Sequence, residues 1–433
     1  MSIRPITLAA AGALMLPATL AAQAPPADTL RLADVYAQAA AHNPMLRAEQ
    51  QRASAVLAAR RSATLPPDPQ LQLGVMNASL PGLRTDMPTS MAPSVQVMQM
   101  VPFPGKLGLN GRIAAREAEK AQAAAAEAGW MIRGRAAMAF YEIYRADRQA
   151  AEMRETLRLL KTFQAVARAM YGAGTGRQTD VLRAGVEVAR MEAEVARMEA
   201  MRAAAAARLN AVLGRDAATP VPAVALPRLP LELPPADTLR AWAAAGRPLL
   251  AARQIGVAQA EDRSRLARRE IWPDLTVGLQ YGQRNDPEMG TERMASVMVG
   301  FTVPVFAGRR QLEMRREAAA MEGMAAAELA DARAQVDARV AELLAETARA
   351  RALVRLYRGE VLPQAQAAVQ SALSSYRVGT VDFMTLLDAQ MTVNQYRQEL
   401  HALLAEYGIA VAELEMATAH EISTGAAALG EAP

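Results

Sequence analysis

Apolar and polar residues follow three rhythms along this chain, and each predicts a different element. The first is helical: Ala33 to Thr64 reads as one helix, with Asp34 in its first turn and Pro66-Pro67 stopping it. The second is strict alternation. Leu71, Leu73 and Val75 alternate with Gln72 and Gly74, and Val95 and Val97 flank Gln96. Further on, Leu275, Val277, Leu279 and Tyr281 alternate with Thr276, Gly278 and Gln280, and Val297, Val299, Phe301 and Val303 with Met298, Gly300 and Thr302. These predict strands over about 68–79, 93–102, 273–283 and 294–304, each with one apolar face and one small or polar face. The stretches Asn77 to Pro93 and Arg284 to Glu292 fall where hairpin tips belong.

The third rhythm is the heptad. Val181, Ala184, Val188, Met191, Val195, Met198, Ala205, Leu209 and Val212 step by threes and fours, broken only at Arg202. A second seam runs beside it through Leu182, Val186, Ala189, Ala193, Ala196, Ala200, Ala203 and Ala207. Two seams on one helix require two neighbours, so a sheet or tube of helices is expected rather than a simple coiled-coil pair. Leu329, Val336, Val340, Leu343, Ala350 and Val354 form a comparable seam downstream. No proline interrupts Lys106 to Tyr171, and a single helix of that length would reach roughly 100 Å at about 1.5 Å per residue.

The rhythms occur twice because the chain is a duplication. Tyr171, Gly174 and Val181-Leu182-Arg183-Ala184 return as Tyr376, Gly379 and Leu386-Leu387-Asp388-Ala389. Asp28-Thr29-Leu30-Arg31 returns as Asp237-Thr238-Leu239-Arg240, and Asn43-Pro44-Met45-Leu46 as Arg247-Pro248-Leu249-Leu250. Pro69-Gln70-Leu71 matches Pro273-Asp274-Leu275, and Val101-Pro102 matches Val303-Pro304. The expected organisation is a signal peptide at 1–24, a first repeat at 25–213, a proline-rich linker at 214–236, a second repeat at 237–418 and a loose tail at 419–433. Each repeat is a helix–strand–strand–helix unit whose long hairpin turns at its Tyr-x-x-Gly. Arg4, the apolar run Ile6 to Leu20 and the small residues Ala21 to Ala24 mark the start as an export address.

Composition narrows the function. Aromatics make up 4% of the chain, while alanine is abundant, which suits long helices with thin contacts. A net charge of +4 on a nearly balanced set of charges argues against a nucleic-acid partner. The absence of cysteine removes disulfides, thiolate metal sites and a lipid-anchoring cysteine. Past the export address no apolar run is long enough for a membrane helix. An exported chain with four alternating strands and no apolar helix points to an outer-membrane barrel. Four strands cannot close a pore and lipid does not tolerate open edges, so several chains must contribute. Three chains would give twelve strands and two would give eight.

The duplicated unit, the two Tyr-x-x-Gly turns with their Val-Leu-x-Ala and Leu-Leu-x-Ala followers, and the paired proline junctions resemble the TolC outer-membrane efflux family across nearly the whole mature chain. The resemblance implies a mostly α fold with a β-barrel segment: a homotrimer with a twelve-stranded barrel in outer-membrane lipid above a long periplasmic α-helical barrel. It implies an exit duct partnered by a periplasmic adaptor and an inner-membrane pump of the resistance-nodulation-division type. The run Val101-Pro102-Phe103-Pro104-Gly105-Lys106-Leu107-Gly108-Leu109 is similar to the heavy-metal branch, that of CzcC and CusC.

On this reading Val277, Leu279, Val299 and Phe301 face lipid, and the turns at Tyr171, Gly174, Tyr376 and Gly379 meet the adaptor. The family's periplasmic constriction carries two acidic positions after the second turn. Asp388 matches the second, Thr385 replaces the first, and Asp382 is a rival for the ring. Where the family has a basic residue two places after the glycine, this chain has Val381.

Catalytic chemistry is not expected. No nucleophile elbow, Walker lysine or zincin pair is present, and Gly172-Ala173-Gly174-Thr175-Gly176 closes a helix rather than following a strand. His42, His401 and His420 read as solvent-exposed, without an acidic partner at ligand spacing. No cofactor is expected. Methionines crowd both hairpins, at Met87, Met91, Met98 and Met100, then Met289, Met294 and Met298. Thioethers suit soft cations such as Cu(I), which makes Met91, Met98 and Met294 candidate ligands; flexible packing is the competing role. The alternative function is a soluble periplasmic coiled-coil adaptor, which would have helical hairpins but no lipid-type strand pairs.

Overall fold

The computed structural model describes residues 29–76, 91–286, 290–422 and 428–429. The expected signal peptide, the tip of the first hairpin and most of the tail lie outside the described residues. Twin helices open each repeat: α1 (Leu32–His42) and α2 (Pro44–Ser62) in the first, α5 (Ala236–Gly246) and α6 (Pro248–Arg269) in the second. The single helix expected over 33–64 is thus corrected to two. Pro44 cannot continue a helix with its missing N–H but fits the first turn of a new one. Asn43 caps that new helix: its side-chain oxygen accepts from the Leu46 N–H at 3.0 Å. The counterpart Arg247 has no acceptor to offer, and Glu127 of a neighbouring helix accepts from Leu249 N–H at 3.0 Å instead.

Each twin is followed by an antiparallel hairpin. β2 (Gln70–Met76) and β3 (Met91–Val101) form the first, β6 (Leu275–Asp286) and β7 (Gly290–Phe301) the second. The second hairpin runs beyond the expected span, pairing Arg284 with Glu292 and Asp286 with Gly290. The four strands join into one sheet in the order β2-β3-β6-β7.

The hairpins lead into the long helices. α3 (Lys106–Gly172) is unbroken over 67 residues and returns through α4 (Gln178–Val212). In the second repeat α7 (Arg310–Leu356) passes through a π turn at Tyr357–Val361 into α8 (Leu362–Arg377), and α9 (Phe383–Thr418) returns. Pro363 lies just past the π turn, where the widened winding accommodates a residue that donates no backbone hydrogen bond. Tyr357 packs edge-on against Tyr396 of α9 at 5.7 Å, holding the irregular turn to its neighbour.

The main core lies where α1, α3, α4, α7 and α9 meet around Phe140, Ile143, Leu209, Val340, Leu403 and Tyr407. A second cluster lies nearer the turns, with Leu160, Phe163, Met191, Tyr376, Phe383 and Leu386. The linker is a belt. β4 (Ala223–Val224) pairs in parallel with β1 (Thr29–Leu30), and β5 (Leu229–Pro230) pairs with β8 (Ala428–Leu429) of the tail. Val221, Val224 and Leu229 are buried, and the Tyr407 hydroxyl donates to the Pro230 carbonyl at 2.5 Å. Among the described residues, no helix is long and apolar enough to cross a membrane.

Candidate functional site

Three regions carry the candidate residues: the sheet, the corner joining it to the helices, and the helix turns. In the sheet, cross-strand register aligns Leu71, Val97, Leu279 and Val297 in one row and Leu73, Val95, Tyr281 and Ala295 in the next. Val277 pairs with Val299, and Leu275 with Phe301. Val277, Leu279, Val299 and Phe301 are all exposed, so this face is mainly apolar surface that no described residue covers, interrupted by Gln99 beside Val277 and by the Gln283–Arg293 pair. The alternate residues form the other face, with Gln72, Gln96, Gln280 and Ser296 in register. Met98 and Met294 lie on that second face, while the Met91 side chain falls outside the described residues. Neither outer strand, β2 or β7, has a partner along its free edge among the described residues.

The corner is an ionic lock that the sequence patterns did not reveal. Lys106, at the first turn of α3, is buried with its ammonium 2.9 Å from Asp274 and 3.4 Å from Glu270, and it donates to the Trp272 carbonyl at 3.0 Å. Asp274 also accepts from Phe103 N–H at 2.7 Å, and Phe103 stacks on Trp272 at 5.3 Å. Arg269 donates to the Pro104 carbonyl at 2.7 Å. First-repeat and second-repeat junctions are thereby joined. The one available signal was the proline-glycine-lysine run facing a Trp-Pro-Asp, and no spacing rule links segments so far apart.

At the far end the two turns are built alike. Gly174 and Gly379 both adopt φ of 76°, in the left-handed region that glycine enters without steric cost. Gly174 N–H donates to Tyr171 and Gly379 N–H to Tyr376, each at 3.0 Å. Thr175 and Thr380 turn their hydroxyls back to the Met170 and Ser375 carbonyls at 3.2 and 3.0 Å. Tyr376 is only 5% exposed and meets Phe383 at 5.7 Å, whereas Tyr171 is 48% exposed.

The acidic candidates separate. Asp382 caps α9, accepting from Thr385 N–H at 3.0 Å and from the Thr385 hydroxyl at 2.7 Å. Those bonds hold its carboxyl below the usual range, because they favour the charged form. Thr385 is therefore spent on the cap. Asp388 lies one turn further on, exposed, at the edge of a cleft of about 610 Å³ that Glu187, Arg190 and Glu194 of α4 also line.

His401 corrects the expectation of three solvated histidines. It is half-buried, 3.5 Å from both Glu152 and the Tyr144 hydroxyl, and its hydrogen bond holds Glu152 below the ordinary carboxylate range. His42 and His420 are exposed, the latter tilted against the Trp242 ring at 3.9 Å. Among the described residues no group of three or more histidines and carboxylates could hold a metal ion.

Solved structures of the same shape cover most of this chain. A membrane protein from Pseudomonas aeruginosa superposes with a TM-score of 0.77 at 21% identity, over 89% of this chain and 93% of that one. CusC, described in terms of folding and transmembrane channel formation, gives 0.77 at 16% identity over 89% and 91%. The outer membrane protein VceC from Vibrio cholerae gives 0.76 at 17% identity over 90% and 96%. Identities this low establish the fold alone. No curated protein sequence matches the chain. The family model for outer membrane efflux proteins matches residues 35–215 and 239–420, one match for each repeat and together most of the chain. The chain belongs to the outer membrane efflux protein family, the outer-membrane channels that serve tripartite efflux systems as their exit duct, and the helices described above are its periplasmic extension.

Proposed function

We propose that three copies of this chain close a twelve-stranded barrel in outer-membrane lipid and continue it as a tube of helices into the periplasm. The carrying observation is the four-stranded sheet, apolar on one face, polar on the other and open at both edges. Unpaired edges are not tolerated in lipid, so β7 of one copy must meet β2 of the next. The helices agree. The first seam of α4 is packed through Ala184, Met191, Met198 and Leu209, while Leu182 and Val186 of its second seam are 62% and 65% exposed. A neighbouring copy supplies the second contact.

In this assembly the Tyr171 and Tyr376 turns form the periplasmic rim that an adaptor grips, above an inner-membrane pump of the resistance-nodulation-division type. Three Asp388 carboxylates ring the constriction and favour cations. The cargo class is heavy-metal cations, on the strength of the Val101 to Leu109 run.

Outer-membrane fractionation with heat-modifiable mobility on gels tests the assembly. Trimer-sized material that dissociates on boiling is expected, and a monomer in the soluble fraction would overturn it. Face assignment is checked by assembly yield. Val299→Arg should cost about 2–4 kcal/mol near the midplane, while Thr302→Arg on the water side should assemble. Equal tolerance at the two positions would mean that the sheet does not face lipid as drawn.

A further inference from the structure

The methionines of the sheet are not distributed as packing residues would be. Met98, Met100, Met294 and Met298 all hold alternate positions on the polar face, among Ser94, Gln96, Thr276, Gln280 and Ser296. Met76 joins them, since the Gln280 side-chain amide donates to its sulfur. Flexible packing would place thioethers in the helical core, as it does with Met191 and Met198, or on the apolar face of the sheet. A wall that faces water has no such need.

Two of these side chains converge. Met98 on β3 and Met298 on β7 are both in register with Gly278 on β6, which lies between them. A Cβ placed on Gly278 would lie 3.5 Å from Met98 Cγ and 3.4 Å from Met298 Cε. The glycine leaves open the space over which the two thioethers lean. The internal duplication adds a third. Val101 pairs with Leu275 within the chain, and the matching residues of the two repeats are Val303 and Leu71. Carried across the seam between copies, that register sets Val303 opposite Leu71, and therefore Met298 opposite Met76 of the next copy, whose sulfur must turn from its own Gln280 amide to meet the ion.

We propose that Met98 and Met298, with Met76 of the adjoining copy, form a thioether site over Gly278 that binds a soft monovalent cation of the Ag(I) or Cu(I) class. Thioether sulfur is neutral, polarizable and indifferent to pH. It takes soft cations and leaves hard, hydrated ones such as Mg²⁺ and Ca²⁺ in water. Neutral ligands without a carboxylate hold such an ion weakly enough to release it, which suits a site on the wall of a duct. The third ligand rests on the trimeric barrel proposed above; the Met98–Met298 pair belongs to one chain.

Silver nitrate titrated calorimetrically into the purified, detergent-solubilised trimer tests the site, with the trimer confirmed by its mobility before boiling. Leucine keeps the bulk of methionine and removes the sulfur, so the variants are Met98→Leu with Met298→Leu, Met76→Leu alone, and Met191→Leu in the helical core as a control. The expected result is one silver ion per chain, bound at least tenfold more weakly by the double variant. Met76→Leu should give a smaller loss and Met191→Leu none, with silver-edge X-ray absorption losing its sulfur neighbours in the double variant. Unchanged silver affinity in a double variant that still forms trimers would overturn the site and leave the row as an apolar lining. Normal pair-dependent binding with no effect of Met76→Leu would overturn the third ligand. Failure of the wild-type chain to form trimers would instead strike at the duct reading and take the third ligand with it.

Discussion

Leu182 and Leu387 occupy the same place in two copies of one motif, and they have opposite surroundings. Leu387 is 3% exposed, enclosed in the cluster around Phe383 and Tyr376, while Leu182 is 62% exposed. The difference recurs along both repeats. α9 buries residues on several faces, against α3, α7 and α8, but α4 packs its one seam against α3. The proline junction of the first repeat is locked by Lys106, whereas Val303, Val305 and Phe306 of the second lie open. At these places a contact made within the chain has a vacant counterpart in the other repeat. Such vacancies are what the proposed ring of copies would fill.

The largest expected effects break this asymmetry at its two leucines. Leu387→Asp buries an unpaired charge and should cost about 4 kcal/mol, lowering the melting temperature before any assembly. Leu182→Asp combined with Val186→Asp should leave the chain folded by circular dichroism yet abolish the trimer. Equal thermal damage from both sets would mean that the second α4 seam is already covered within the chain.

At the junctions, Lys106→Ala strands Asp274 and Glu270 and should destabilise by about 3 kcal/mol, read from thermal melts. Arg309, which stands where Lys106 stands in the first repeat, is exposed, and Arg309→Ala should stay within about 0.5 kcal/mol in the same melts. A comparable loss at both would show that the two corners are equally built in one chain.

The turns should differ less. Valine in the left-handed region costs about 2 kcal/mol at either glycine. Gly379→Val, beside buried Tyr376, should impair efflux and adaptor crosslinking more than Gly174→Val, with trimers intact in both. Full efflux from both variants would place docking elsewhere.

The smallest effects separate the two aspartates. Asp382 is held ionised by Thr385, so its folded value lies below its unfolded one. Its contribution is present above the unfolded value and is lost as pH falls through the folded one. Melting profiles of wild type and Asp382→Asn, which caps without titrating, should therefore coincide above the carboxylate range and diverge on acidification. Asp388→Ala should reduce cation selectivity in planar bilayers under a salt gradient. An unchanged reversal potential would remove Asp388 from the constriction.

The strands, the uninterrupted α3 and the first α4 seam were legible in the sequence because each is periodic, and periodicity is local. Outer-membrane efflux channels as a class were legible through the ordered motifs, whereas the soluble adaptor alternative left the four strands without a role. Asn43-Pro44 reads as the interior of a helix because the apolar pattern runs through it, as it does through Arg247-Pro248 at the matching break. Lys106 with Asp274, and His401 with Glu152, were invisible because they join segments far apart, and composition carries no trace of such pairings. The belt was not legible in the proline-rich linker, because burial of Val221, Val224 and Leu229 against distant segments leaves no local pattern.

α3 is also a machine part. It is fastened at Lys106 and spans 67 residues to Gly172, an arm of about 100 Å at ~1.5 Å per residue. Geometry multiplies any rotation about the fastened end by that arm. A tilt of about 3° sweeps the far turn through roughly 5 Å, close to one helical pitch. Displacements of that size at the far turn therefore ask only a small rotation at the sheet, provided the helices packed along α3 tilt with it.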